Sequence, residues 1–373
     1  MAITKPILLD ETGQEMIEVL REVKTAIASG KDSEITTWKT VRANVRAGLG
    51  SSLYPAGTKF IVYKYANGAT KTGTPSKYYL DVVGHNVHFL KRHGVPTADY
   101  SMSLQFHELL ADGMLFDAPE DLYGLSLDSS VVAWKTYYSN TSGTVVSNPT
   151  GSPRDNGYYE KNHADRVSYG SNNWRNSAIR KWLNADKNLA AGAWWSKTTA
   201  NDKQPSYVSI LPFQALLADD VNGVESTLLD VIGPVTIESA LSTVKRPDAA
   251  SYFLDCDADG KYDATRAAYD TTEDTFFLPS TKEVHCSTYN EPDGECLEYY
   301  SRFSDYANPI VGWGSADTNL LKHKLGTSSA TIWWLRSAYT SYARSAMRVG
   351  SDGAVLSSYA YDAHGVGPLC VIY

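Results

Sequence analysis

The chain has 373 residues, a formal net charge of -8 and an aromatic content of 12%, with 25 Tyr and 9 Trp. An acidic balance without any basic patch argues against nucleic acid as a partner. No apolar run reaches membrane-spanning length, so no membrane insertion is expected, and the N-terminus lacks the basic and apolar regions of a signal peptide.

Length suits one large β-rich domain with an appendage. Asp10 to Ser29 reads as a helix, capped by Asp10 or Thr12 and ended by Gly30. Met16, Leu20, Val23 and Ile27 recur at the a/d spacing of a coiled coil, a seam too short to be stable alone. Segment 1–35 is therefore either a stalk, giving a homotrimer or docking on a virion, or a helix packed on its own domain. Residues 36–373 form the main domain. It opens with a helix from Thr36 that places Trp38, Val41, Val45 and Leu49 on one face, with Gly48 near its end. Phe60 to Tyr63 and Tyr78 to Gly84 read as strands around a polar turn at Asn67-Gly68.

His85, His88, His93 and His107 match no helical metal-ligand spacing and are read as solvated loop residues. Ala118 to Asp121 marks a turn, Val131 to Tyr138 a strand, and Ser139 to Asp165 a long loop. Asn172 to Asp186 is an amphipathic helix burying Trp174, Ile179, Trp182 and Leu183. Pro212 to Asp220 begins a further helix, and Leu228 to Ile232 is a short apolar element. No internal repeat is present.

One stretch has the pattern of a metal loop. Asp255, Asp257, Asp259 and Asp263 alternate around Gly260, matching the first half of an EF-hand-type loop, in which hard oxygens converge on calcium. The closing Glu is missing and Arg266 takes its place, so the alternatives are a structural calcium ion or a polar turn between strands. No other cofactor is required. Cys286 and Cys296 flank a loop containing Pro292-Asp293-Gly294 and could pair; free thiols in a cytoplasmically assembled protein are the preferred reading.

The tail is the most distinctive part. Ile332 to Leu335 is a short apolar run suited to a buried strand, and Gly365 to Ile372 is another, able to close a sheet. Between them lies a run of Tyr, Ser and Ala, broken by Asp352-Gly353, a dipeptide suited to a two-residue hairpin turn. From Ser337 onward there is no Lys, Glu, Gln, Trp or Asn. The Asn codon AAY, with both adenines free to change, reaches nearly every residue of the run but never Met. Met347 is therefore read as a fixed, inward-facing position.

Trp333-Trp334-Leu335-Arg336-Ser337, Arg348-Val349 with Ser351-Asp352-Gly353, and Gly365-Val366 with Pro368 together resemble the closing motif of C-type-lectin-like domains of bacteria and phages. Tyr169 to Trp174, Ser177 to Arg180 and Trp182 to Asn184 are similar to that domain's helix, and Ile3 to Asp10 to the start of phage-encoded members. The resemblance implies an α+β, C-type-lectin-like fold, also called formylglycine-generating-enzyme-like, with a short N-terminal helical segment. The same fold carries the variable proteins of diversity-generating retroelements, among which the phage major tropism determinant is the best known.

On that basis 332–373 is the variable ligand-binding region. Its expected contacts are Ala338, Tyr339, Thr340, Ser341, Tyr342, Arg344, Ser345, Ser357, Ser358, Tyr359, Tyr361, Asp362 and His364. Tyr339, Tyr342, Tyr359 and Tyr361 would be the anchors, since Tyr offers rigid contact area at low entropic cost. Arg336 follows a buried strand and is expected to hold the loop through carbonyls or a carboxylate. The implied partner is a host cell-surface protein or glycan, reached from a phage tail or after release from the cytoplasm. An undiversified structural or baseplate protein of the same fold is the alternative. Catalysis is not expected: no GxSxG, HExxH, P-loop or dinucleotide fingerprint appears. Resemblance to the formylglycine-generating sulfatase modifiers would require a pair of active-site cysteines, and only Cys370 lies near the C-terminus.

Overall fold

The computed structural model describes residues 37–110, 113–118, 172–196, 204–218, 227–240, 269–285, 294–301, 316–339 and 345–373, with the backbone of 136–138 and 145–147. The helix expected over Asp10 to Ser29 and the Asp255–Asp263 loop lie outside the described residues. So do Cys286, Thr340, Ser341, Tyr342 and Arg344.

The architecture is α+β, dominated by antiparallel sheets. Helix α1 (Trp38–Arg46) starts at Thr37, whose hydroxyl accepts from Thr40 N, and the chain turns away at Gly48, where φ is +77°. Strands β1 (Lys59–Lys64), β2 (Ser76–His85) and β3 (Met102–Phe106) follow as an antiparallel series. The last strand of the chain, β9 (Leu369–Ile372), pairs with β3 and completes a sheet of order β1-β2-β3-β9. The closing strand expected after Gly365 is thus present, and it pairs across most of the chain.

This sheet is buried on both sides, but its two faces differ. Phe60, Leu80 and Phe106 are in register across neighbouring strands and so share one face. That face is apolar: Trp38 and Tyr54 pack on Phe60 at 5.6 and 5.3 Å, and Phe213 packs on Phe106 at 5.8 Å. Asp81, Gln105 and Leu369 are in register on the opposite face. There Asp81, Ser103 and Gln105 are all buried, an unusual set of polar side chains for a sheet interior.

The helix expected over Asn172 to Asp186 is broken in two. A 3-10 turn, Trp174–Asn176, ends at Ser177, which is extended and caps α2 (Ala178–Asn184) by accepting from Arg180 N. All four expected core residues are buried. The helix begun at Pro212 extends only over Phe213–Leu216, because Leu217 bridges to Lys64 and Ala218 N bonds to Tyr63 O. Beyond it, β4 (Val235–Ala240) pairs with β5 (Tyr269–Asp274), and α3 (Thr281–His285) follows. The tail then forms a second sheet from β6 (Trp333–Ala338), β7 (Ser345–Val349) and β8 (Val355–Tyr359), in that order. Cys296 is disulfide-bonded, which corrects the free-thiol reading for that residue; its partner lies outside the described residues. Among the described residues no helix is long and apolar enough to cross a membrane.

Candidate ligand-binding surface

Strand β6 enters the tail fully buried. Trp333 Nε1 donates to Leu320 O at 3.0 Å and Trp334 Nε1 to Met114 O at 2.8 Å, so both indoles lie inside with their polar atom satisfied. Arg336 is 1% exposed. Its guanidinium makes a forked pair with Glu283 at 2.6 and 2.7 Å and donates to Leu278 O at 2.9 Å. The hydrogen bonds expected of Arg336 are therefore present, to a carboxylate and a carbonyl together, and they tie β6 to the 278–283 segment.

Glu283 has a second task. Ser280 N donates to Glu283 Oε2 at 2.9 Å while Glu283 N donates to Ser280 Oγ at 3.1 Å, a reciprocal cap that starts α3. His88 adds Nε2 to Glu283 Oε1 at 3.0 Å and Nδ1 to Ser103 Oγ at 2.8 Å. Burial by itself would raise the Glu283 carboxyl; Arg336 and His88 overrule it and hold the pKa at about 2. His88 is 6% exposed, which corrects its reading as a solvated loop residue. A buried hydrogen-bond partner on either side of the imidazole explains why it tolerates the interior.

The mouth of the tail loop is closed from a distance. Ala338 pairs with Ala346, and Tyr339 N bonds to Ser345 O at 2.9 Å. Asn172 Nδ2 then donates to Ser345 O at 3.0 Å and to Tyr339 O at 3.3 Å, tying both ends of 340–344 together. Ala338 at 0% exposure and Ser345 at 6% are inside, so the expectation that they contact ligand is corrected: they support the loop. Tyr339 is half-buried, packed against the core.

Beyond residue 344, β7 stays mostly buried. Met347, expected to face inward, is buried. The β7–β8 connection is a three-residue loop, not the two-residue turn expected of Asp352-Gly353. Gly350 N bonds to Ala354 O at 2.7 Å, Gly353 N returns to Gly350 O at 3.0 Å, and Gly353 has φ +86°. Ser357 and Ser358 are half-buried on β8, and Ser358 Oγ accepts from Arg348 Nε at 2.8 Å.

A turn at 359–362 follows: Asp362 N bonds to Tyr359 O at 2.8 Å, and Asp362 Oδ2 accepts from Tyr359 N at 3.1 Å. Ala360 is fully buried, and its carbonyl accepts from Asp117 N. Pinning Ala360 throws its two neighbours outward. Tyr359 and Tyr361 are 37% and 38% exposed, with rings stacked 5.9 Å apart at 11°. His364 lies beneath, its ring 4.5 Å from that of Trp334. Burial, then the Arg348 charge, lowers its pKa to about 4, so it is neutral at physiological pH.

Residues 144–373 match the family model described as a domain of unknown function, DUF6273. The chain belongs to the DUF6273 family. No curated protein and no solved structure matches it. The DUF6273 span holds Asn172, Glu283, Arg336 and the whole exposed turn, whereas β1, β2 and β3 precede it. Strand β9 thus inserts the end of the DUF6273 region into a sheet built from upstream residues. Cys370, on that strand, is fully buried and burial pushes its thiol up, away from nucleophilic chemistry. Among the described residues no cluster of three or more His, Cys, Asp and Glu could hold a metal ion. Sequence reasoning missed Asn172 and Glu283. The Ser280-x-x-Glu283 spacing was a legible signal for the second.

Proposed function

We propose that this protein is a ligand- or receptor-binding protein, displaying its C-terminal turn and loop on a C-type-lectin-like frame, and that it is not an enzyme. The observation that carries the reading is the stacked, outward-facing pair Tyr359–Tyr361 on a backbone anchored by the buried Ala360. Two amphipathic rings held in parallel offer a rigid contact area that loses little entropy on binding. Asp362, Ser357 and Ser358 border them with hydrogen-bonding groups, and residues 340–344, whose flanks Asn172 ties together, complete the contact set.

The buried elements on either side support the further reading that this stretch is diversified by a retroelement. A frame whose strands are satisfied internally tolerates change in the side chains it presents. The partner on this reading is a host cell-surface protein or glycan, and the protein acts from a phage tail. Two measurements test it. Labelled protein should bind cells of a susceptible host, and Tyr359→Ala with Tyr361→Ala should abolish that binding without lowering the melting temperature. The gene should also neighbour a reverse transcriptase and a near-copy of the segment encoding 332–373 that differs at adenines. Binding that survives the double substitution would remove the paratope, and absence of copy and transcriptase would leave an undiversified structural protein.

A further inference from the structure

A second site lies on the polar face of the four-stranded sheet, away from the tyrosine pair. A cleft of about 500 Å³ opens there, walled by Asp81 and His107 on one side and by the 318–328 segment on the other. That volume falls in the range of small-ligand pockets.

Its floor is built and buried. Asp81 is 2% exposed; its Oδ2 pairs with His107 Nδ1 at 2.6 Å, but its Oδ1 is buried with no hydrogen-bond partner. Lys322 is 7% exposed and donates to Phe106 O at 2.7 Å and His107 O at 3.3 Å. An ammonium has three donors, so one is left beyond these two carbonyls, with Nζ 5.7 Å from the centroid of the Trp333 ring. His323 Nδ1 is also buried with no hydrogen-bond partner. Glu108 is held in place by Tyr79 N at 3.0 Å.

Buried polar atoms without partners cost stability, and such a cost is retained where a ligand supplies the missing bond. The chemistry of that ligand follows from the set. Asp81 Oδ1 needs a donor, and Lys322 Nζ needs an acceptor. Among the lining side chains Asp81 and Glu108 oppose Lys322 and Lys324, two negative against two positive, with the histidines counted neutral; Lys59 stands at the edge, its Nζ 3.4 Å from His107 Nε2. A simple anion or cation would meet as much repulsion as attraction. A hydroxyl group both donates and accepts and carries no charge.

We propose that this cleft binds a neutral polyhydroxylated ligand, a single sugar ring, with one hydroxyl donating to Asp81 Oδ1 and another accepting from Lys322 Nζ. Tyr299 and Leu321 give it an apolar flank for the carbon skeleton. The site is independent of the tyrosine surface and stands whether or not that surface binds a receptor.

The test is titration calorimetry, with saturation-transfer NMR, on the full chain. The probes are glucose, galactose, mannose and N-acetylglucosamine, set against alanine as a zwitterion and inorganic phosphate. At least one sugar should bind saturably, and neither alanine nor phosphate should. Asp81→Asn should weaken binding roughly tenfold or more, as loss of a bond to a charged group does. Ser328→Trp, on the exposed rim, should block the cleft while leaving the buried groups intact, and so decides the matter if Asp81→Asn does not fold. Tyr359→Ala with Tyr361→Ala should leave sugar binding unchanged. The proposal is overturned by any of four results: no sugar binds, alanine or phosphate binds in its place, a folded Ser328→Trp binds like the parent, or the tyrosine substitutions remove sugar binding.

Discussion

Arg336 and Tyr361 belong to the same C-terminal stretch and meet opposite fates. Arg336 is 1% exposed, with its guanidinium forked onto a buried carboxylate, while Tyr361 is 38% exposed and rests its ring on another tyrosine. The first belongs to a network in which each member satisfies another: Ser280, Glu283, His88 and Ser103 are all bonded into it. The second stacks on Tyr359 at the rim of a turn, outside that network. The contrast teaches that a frame can be strict about its charge pairs and indifferent to its display, provided the two do not share partners.

The largest expected effect breaks the frame. Arg336→Ala leaves the Glu283 carboxylate buried without its guanidinium partner, held only by His88 and Ser280, and chemical denaturation should show a loss of about 3–5 kcal/mol. A loss under about 1 kcal/mol would mean the network is not a stability element. Acid should reach the same network from the other partner. The Glu283 carboxyl is held at about 2 against an ordinary 4.5, so its contribution is complete above about pH 4.5 and disappears as pH falls toward 2. His364 is lowered to about 4 from an ordinary 6.5, so stability it favours is present above pH 6.5 and lost between 6.5 and 4. A denaturation midpoint followed against pH should therefore fall in two stages, and His364→Phe should flatten the upper one alone.

Smaller changes probe the border between frame and display. At the β7–β8 turn, Gly353→Ala must hold φ near +86° and push its new methyl into the Asp317 backbone. The left-handed conformation alone costs about 1–2 kcal/mol, readable as a drop in melting temperature. Asn172→Ala removes the clamp across the loop mouth and should cost about 1 kcal/mol, with hydrogen exchange faster at Tyr339 and Ser345 than in the sheet. The smallest effect on stability belongs to Tyr359→Ala with Tyr361→Ala, expected within about 0.5 kcal/mol of the parent. A large destabilisation there would erase the contrast between the two regions.

Periodicity and local chemistry carried much of this fold in the sequence. The helix from Trp38, the strands around Asn67-Gly68, and the buried runs before and after the tyrosine-rich stretch are each written in neighbouring residues. Met347, read as inward-facing, is buried. The hairpin loop at Asp352-Gly353 was legible as a turn but not in length, since the bond between Gly350 and Ala354 that sets the loop size depends on the strand pairing. The Asn172 to Asp186 helix breaks at Ser177, whose extended backbone and hydroxyl cap α2 through a bond only three residues along the chain.

Composition and spacing by themselves determined that two apolar strands bracket a tyrosine-rich tail and that Arg336 would be tied down, while the α+β class was expected from the resemblance of the closing motif. Only tertiary structure decided what ties it, because Glu283 and His88 arrive from segments 53 and 248 residues away (336 minus 283 and 336 minus 88). It alone turned Ala338 and Ser345 inward, paired β9 with β3, and buried Asp81 on the polar face of the sheet. Local pattern reports which residues prefer water, but partners for buried polar groups are chosen by closure of the chain, and that choice is made over distances no window of sequence spans.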